Sequence, residues 1–188
     1  MGQYYIAYMS KGNHKKSYKI CSHEYDSGIK LCEHSWINNP MMDAVTTFLY
    51  NNPHRVAWVG DYTDELKTSP NEDLKFDDML SVYLKAWGRG ACNLLPKAFV
   101  ISYNKLYLIN KTKKLYVSFK GYMKDCTTND GWCLHPLSIL TAIGNGLGGG
   151  DYYGCNREMV GIWAYDRIYV SDKYPKSYKP FNPVFIDL

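Results

Sequence analysis

No stretch of the chain approaches the roughly 18 consecutive apolar residues of a membrane-spanning helix, so a membrane partner is not expected. The start, MGQYYIAYMSKGNHKK, has tyrosines where a secretory leader needs an apolar core, and its basic cluster follows the apolar run. Ile6 stands where a myristoylation pattern needs Ser or Thr. A cytoplasmic location is the expectation. Excess charge is small: 22 basic against 18 acidic residues leave +4, too mild and too evenly spread to demand a nucleic-acid partner, and none is expected. Cysteine is sparse for a disulfide scaffold, at six residues, with no Cys-x-x-Cys spacing. Cys126, Cys133, His135 and Cys155 are conceivable zinc ligands, but their spacing fits no standard knuckle. No metal or cofactor is expected.

Eighteen tyrosines stand out against this background. Each combines a large apolar ring with a hydroxyl that seeks a partner when buried, a composition suited to binding surfaces and ligand pockets. With 188 residues, 46% apolar and 21% charged, the chain suffices for one domain and not comfortably for two.

Alternating runs at 3–9 and 15–23 around Lys11-Gly12-Asn13 predict an opening hairpin. Asn39, Pro40 and the apolar spacing of Met41, Val45, Phe48 and Leu49 predict a helix over 40–50. A buried strand at 54–60, a polar loop, and a helix over 73–87 ending at Gly88 follow. Next come a short strand at 97–103 and a hairpin over 105–120 that turns at 110–113 and sends Leu106, Leu108, Leu115, Val117 and Phe119 inward. The reading ends with a short helix from Pro136, a long strand over 159–171, and an extended surface tail over about 172–188. The class is α+β: one domain over 1–188, a mainly antiparallel sheet with hairpins, and about three short helices.

The segment over 144–154 holds six glycines in eleven residues. Such a loop allows backbone amides to converge on an anion, as in a nest. It is neither a Rossmann fingerprint nor a P-loop, lacking the strand-to-helix context of one and the GK[ST] ending of the other. His135 precedes Pro136 at a helix start, where it caps the helix or contacts an anion. Glu33, His34 and Ser35 lead into the first long helix, and Asp61 and Tyr62 end a buried strand, a common place for site residues.

Taken together, MGQYY, KLCEHS (30–35), RVAWVGDYTD (55–64), GWCLHPLSILTAIGNGLGGGDYYG and VGIWAYDRI resemble a family of small proteins encoded by bacteriophages and some bacteria. Two positions depart from its pattern: Cys32 replaces a usual Met, and Leu147 replaces a usual Arg. No established reaction comes with the resemblance. It implies a phage origin, and by analogy of class a counter-defence protein that sequesters a signalling nucleotide.

The leading expectation is therefore a binder of a small anionic or nucleotide-like ligand. Tyr4, Tyr5, Trp58, Tyr62 and Tyr152 supply stacking surface, the amides of Gly148, Gly149 and Gly150 hold phosphate or carboxylate oxygens, and Asp61 or Glu33 accepts from hydroxyls. His34, Ser35, His135, Thr141, Asn145 and Asp151 belong to the same candidate lining. The alternatives are a nucleotide-processing hydrolase using His34 or His135 with Glu33, Asp61 or Asp151, and an inhibitor of a host defence protein acting through a tyrosine-rich surface. Homo-oligomerisation is left open. The single-site reading requires the 30–35, 60–62 and 144–154 segments to line one cavity or adjoining clefts.

Overall fold

Burial on two faces dictates the centre of the sheet. In our computed structural model, which describes residues 2–12, 16–99 and 102–186, β1 (Tyr5–Ser10) pairs antiparallel with β3 (His54–Gly60) from Tyr5↔Gly60 to Ser10↔Arg55. Ala7, Met9, Val56 and Trp58 point into a larger core, and the alternate residues Tyr8, Ala57 and Val59 into a smaller one. A strand covered on both faces must be apolar almost throughout, as both are. The helix α3 (Phe76–Trp87) covers the smaller core, while α2 (Pro40–Leu49) and α5 (Pro136–Thr141) fill the larger.

The expected N-terminal hairpin forms, with β2 (Ser17–Ile20) paired to β1 through Ala7↔Ile20; its turn lies partly outside the described residues. The 105–120 hairpin also forms, as β5 (Tyr107–Asn110) and β6 (Leu115–Ser118), with its five inward residues in or against the larger core. Adding β4 (Cys92–Asn93), β8 (Arg167–Ser171) and β9 (Lys179–Pro180) gives the order β4-β2-β1-β3-β8-β5-β6-β9, with β7 (Ala142–Ile143) also on β3. The class is α+β, and the sheet is mixed: β2–β4, β3–β7 and β6–β9 run parallel. Asn39 caps α2 as its sequence suggests, its Oδ1 accepting from the Met41 and Met42 amides with Pro40 behind it.

Several expectations change. Within 97–103 the described residues form no strand: Phe99 is exposed and its amide donates to Thr47 Oγ1, while Tyr103–Lys105 is a 3-10 turn. The long strand over 159–171 shrinks to β8, because Gly161 (φ 77°) and Tyr165 (φ 63°) turn the chain, and the Gly161 and Trp163 amides donate to Ile139 and Leu140 of α5. Two helices were not anticipated. One is α1 (Leu31–His34); the other is α4 (Phe119–Cys126), which buries Phe119, Tyr122 and Cys126 at helical spacing. The tail does more than lie on the surface: β9 extends the sheet and Phe185 is fully buried against Tyr152.

Candidate functional site

The glycine loop does converge its amides on an anion, and that anion is the chain's own. Asp151 Oδ2 accepts from the backbone N–H groups of Gly146, Leu147 and Gly148 at 2.6, 3.1 and 3.3 Å, and Oδ1 accepts from the Tyr5 hydroxyl at 2.7 Å. Gln3 completes the arrangement. With its amide oriented to suit its neighbours, Nε2 donates to Gly144 O and to Asp151 Oδ2 at 3.2 Å, and Oε1 accepts from the Tyr62 amide at 3.3 Å. Burial raises the Asp151 carboxyl above its ordinary range, against the opposing pull of these hydrogen bonds. Tyr5 moves up as well, through burial first and the adjacent Asp151 charge second.

This geometry corrects the expected use of Gly148, Gly149 and Gly150. Only the first donates to the carboxylate, and the carbonyls of the other two accept from Gln3 and Cys32. Nor do all three need conformations closed to other residues, since Gly150 alone among them has positive φ, at 85°. A Cβ on Gly149 would find its nearest neighbour, Gly2 Cα, at 4.0 Å, whereas one on Gly148 would sit 2.5 Å from the Gln3 backbone nitrogen. Gly149→Val should therefore shift stability by no more than about 0.5 kcal/mol, and Gly148→Val should cost on the order of 2–3 kcal/mol. Urea midpoints of the two variants check this; equal losses would show that the contact with Gln3 does not govern the loop.

The predicted residues divide into three groups. Asn145 and Tyr152 close the loop by a reciprocal pair, Tyr152 N to Asn145 Oδ1 at 2.8 Å and Asn145 Nδ2 to Tyr152 O at 3.1 Å. The rim holds Tyr4, whose amide donates to Asp61 Oδ1, and Glu33, which pairs with Lys30. The third group is core. His34 Nδ1 lies 2.9 Å from Gly28 O, and its Nε2 accepts from Trp58 Nε1 at 2.9 Å, which fixes the neutral tautomer with Nδ1–H. Burial lowers its pKa to about 4.

His135 does cap α5: its Nδ1 accepts from the Leu137 amide and its Nε2 faces Thr46 Oγ1 at 3.2 Å. Enclosure lowers its pKa to about 3. Ser35 and Thr141 are fully buried, Ser35 O accepting the His135 amide and Thr141 Oγ1 bonding Leu137 O. Both imidazoles face protein partners inside the core, so the acid–base pairings drawn for them with Glu33, Asp61 or Asp151 are not assembled. With both its ring nitrogens engaged, His135 is equally unable to join Cys126, Cys133 and Cys155 around zinc, and among the described residues no cluster of three or more His, Cys, Asp or Glu is arranged for a metal.

The three segments meet, but as a packed junction threaded by residues 2–5 rather than as walls of one cavity. Gly2 bridges to Gly149, Cys32 N donates to Gly150 O, and Asp61 N to Tyr4 O. The open space lies beside it. A cleft of about 530 Å³ is lined by Leu66, Thr68, Ser69, Gly144, Asn145 and Arg157, with Glu158 on its border. The sequence reading missed Arg157. Its guanidinium lies over the Tyr153 ring at 4.8 Å and has no carboxylate within 4.0 Å among the described residues. The available signal was its position three residues past the glycine segment, in a stretch of the chain with few charges. Comparison with protein-family models, with curated proteins and with solved structures gives no match.

Proposed function

We propose that the chain binds a small anionic, nucleotide-like ligand in the cleft beside the glycine loop. The observation that carries this reading is Arg157, a fixed positive charge with five donors, resting on Tyr153 beside a cleft and uncommitted to any carboxylate among the described residues. The hydroxyls of Thr68 and Ser69 border the same space and add neutral donors for phosphate or carboxylate oxygens. Glu158 adds an acceptor for a hydroxyl or amine, which favours a ligand bearing donors as well as an anion over bare phosphate. The volume is in the range of small-molecule sites, and a signalling nucleotide of the kind implied by the phage resemblance belongs to this class.

Titration calorimetry against inorganic phosphate, mononucleotides and cyclic oligonucleotides tests the reading. Binding is expected for a nucleotide, with intact ligand recovered after denaturation, and Arg157→Ala should weaken it at least about tenfold, the loss of a charged hydrogen bond at 1.5–3 kcal/mol. Parent-like affinity in Arg157→Ala, or no binding by any member of the panel, overturns it.

A further inference from the structure

The modest net charge conceals a strong segregation. Segments 105–124 and 167–180 hold ten of the 22 basic residues and one of the 18 acidic ones. The fold brings these segments together as the neighbouring strands β8, β5, β6 and β9. Lys111 N donates to Arg167 O and Lys179 N to Lys114 O, so four cationic residues gather at the hairpin-turn end of this half of the sheet. Lys173 and Lys176 flank the other end through the 172–178 loop. All six are exposed, and among the described residues none has a carboxylate within 4.0 Å; the one lysine of the segments that does is Lys113, held by Asp73 and buried Asp166.

The face between them is aromatic. The register pairs Ile109 with Tyr116 on one side and Tyr169 on the other, placing both rings on the side opposite the larger core, and Tyr107 stands two residues away on the same face. This is the side that α3 covers over β1 and β3. Over β8, β5 and β6 tyrosines take its place: Tyr107, Tyr116 and Tyr174 meet edge to face with all three centroid separations at 5.7 Å, and Ile109 beneath is 1% exposed. Tyr174 stands outermost, 56% exposed.

We propose that this face binds single-stranded nucleic acid, with bases stacked on Tyr174 and Tyr107 and phosphates drawn to Lys111, Lys114, Arg167, Lys173, Lys176 and Lys179. A cationic track around aromatic rings is the pairing that unpaired, flexible strands require: charge follows the backbone, and every base has a π-face to stack. An acidic protein would use the charges without the platform. A duplex keeps its bases stacked internally and offers them no ring contact. The even spread inferred from the sequence is thus corrected once the strands are placed side by side.

Fluorescence anisotropy of labelled 20-nucleotide oligo(dT) and oligo(U) tests the proposal on the full chain. With about four phosphates neutralised, affinity should fall roughly fifty-fold between 50 and 200 mM salt. Tyr174→Ala should weaken binding about tenfold while leaving the melting temperature unchanged, Lys173→Glu with Lys176→Glu should weaken it more and flatten the salt dependence, and Arg157→Ala should have no effect, which separates this face from the cleft. No binding at 50 mM salt overturns the proposal, as does a Tyr174→Ala protein of parent affinity. Equal or tighter binding of duplex, heparin or phosphatidylserine vesicles also overturns it, since the surface would then be a general polyanion or membrane site.

Discussion

Asp151→Ala should lower stability by about 3–5 kcal/mol, roughly a 10 °C or larger fall in Tm for a chain of this size, with most of the effect arising from the groups left behind. The substitution strands three backbone amides, the Tyr5 hydroxyl and one Gln3 donor around an empty position. Asp151→Asn discriminates between loss of charge and loss of acceptors. Its oxygen still receives the loop amides, and its nitrogen faces the Tyr5 oxygen, which accepts, so the expected cost is about 1–2 kcal/mol. Urea unfolding of both variants, with Tyr5→Phe to complete a double-mutant cycle, checks the ranking. An Asp151→Ala protein within 1 kcal/mol of the parent would mean that the loop holds its shape without the carboxylate. Ligand binding could then be sought at the nest itself.

Stability should also fall as the solution is acidified from pH 7 to pH 5, by roughly 4 kcal/mol from two side chains. His34 and His135 are neutral in the fold, with pKa values near 4 and 3 caused by burial, while in the unfolded chain they titrate near 6.5. A depressed folded pKa gives stability that is complete above the unfolded value and is lost below it, because the unfolded chain takes up protons that the folded one refuses. At pH 5 this amounts to roughly 2 kcal/mol per histidine. Geometry reinforces the sign: His34 Nε2 accepts from Trp58 and His135 Nδ1 accepts from Leu137, so protonation would set donor against donor at both rings. The carboxyls of half-buried Asp43 and of buried Asp151 and Asp166, all raised by desolvation, act in the opposite direction as they take up protons. His135→Asn keeps a cap acceptor and removes one titration, so it should roughly halve the slope. Denaturant midpoints at the two pH values decide; a parent protein equally stable or more stable at pH 5 contradicts the assignment.

Local signals in the sequence were reliable where one physical cause dominates. Asn39-Pro40 specifies a helix start by itself, and the 105–120 alternation specifies both the hairpin and its inward face. Apolar runs misled where burial came from elsewhere. The 160–164 stretch is apolar because Val160, Trp163 and Ala164 pack inside, yet Gly161 turns it, and that glycine was the overlooked warning. Asp151 is legible in the sequence as a polar residue of the loop, but its role as the anion of the nest is not, because sequence cannot show that Tyr5 and Gln3 arrive to close it. His34 and His135 looked like chemistry for the same reason: only the packed core reveals that each imidazole already has its partners.

The Tyr5–Asp151 bond joins residues 146 positions apart, and Ser10 and Tyr165 meet across 155. The glycine loop makes the amide nest and the Asn145–Tyr152 pair from its own residues, but the nest is completed only by Tyr5 and Gln3 of the first strand region. The first strand, made early, waits between β2 and β3 for α3 and α5, which are encoded later, and for the glycine loop itself. Closing such long loops before any contact rewards them makes folding slow, and it leaves β1, apolar on both faces, exposed for most of synthesis on the ribosome. The same junction that closes the finished fold thus depends on contacts that only a nearly complete chain can make.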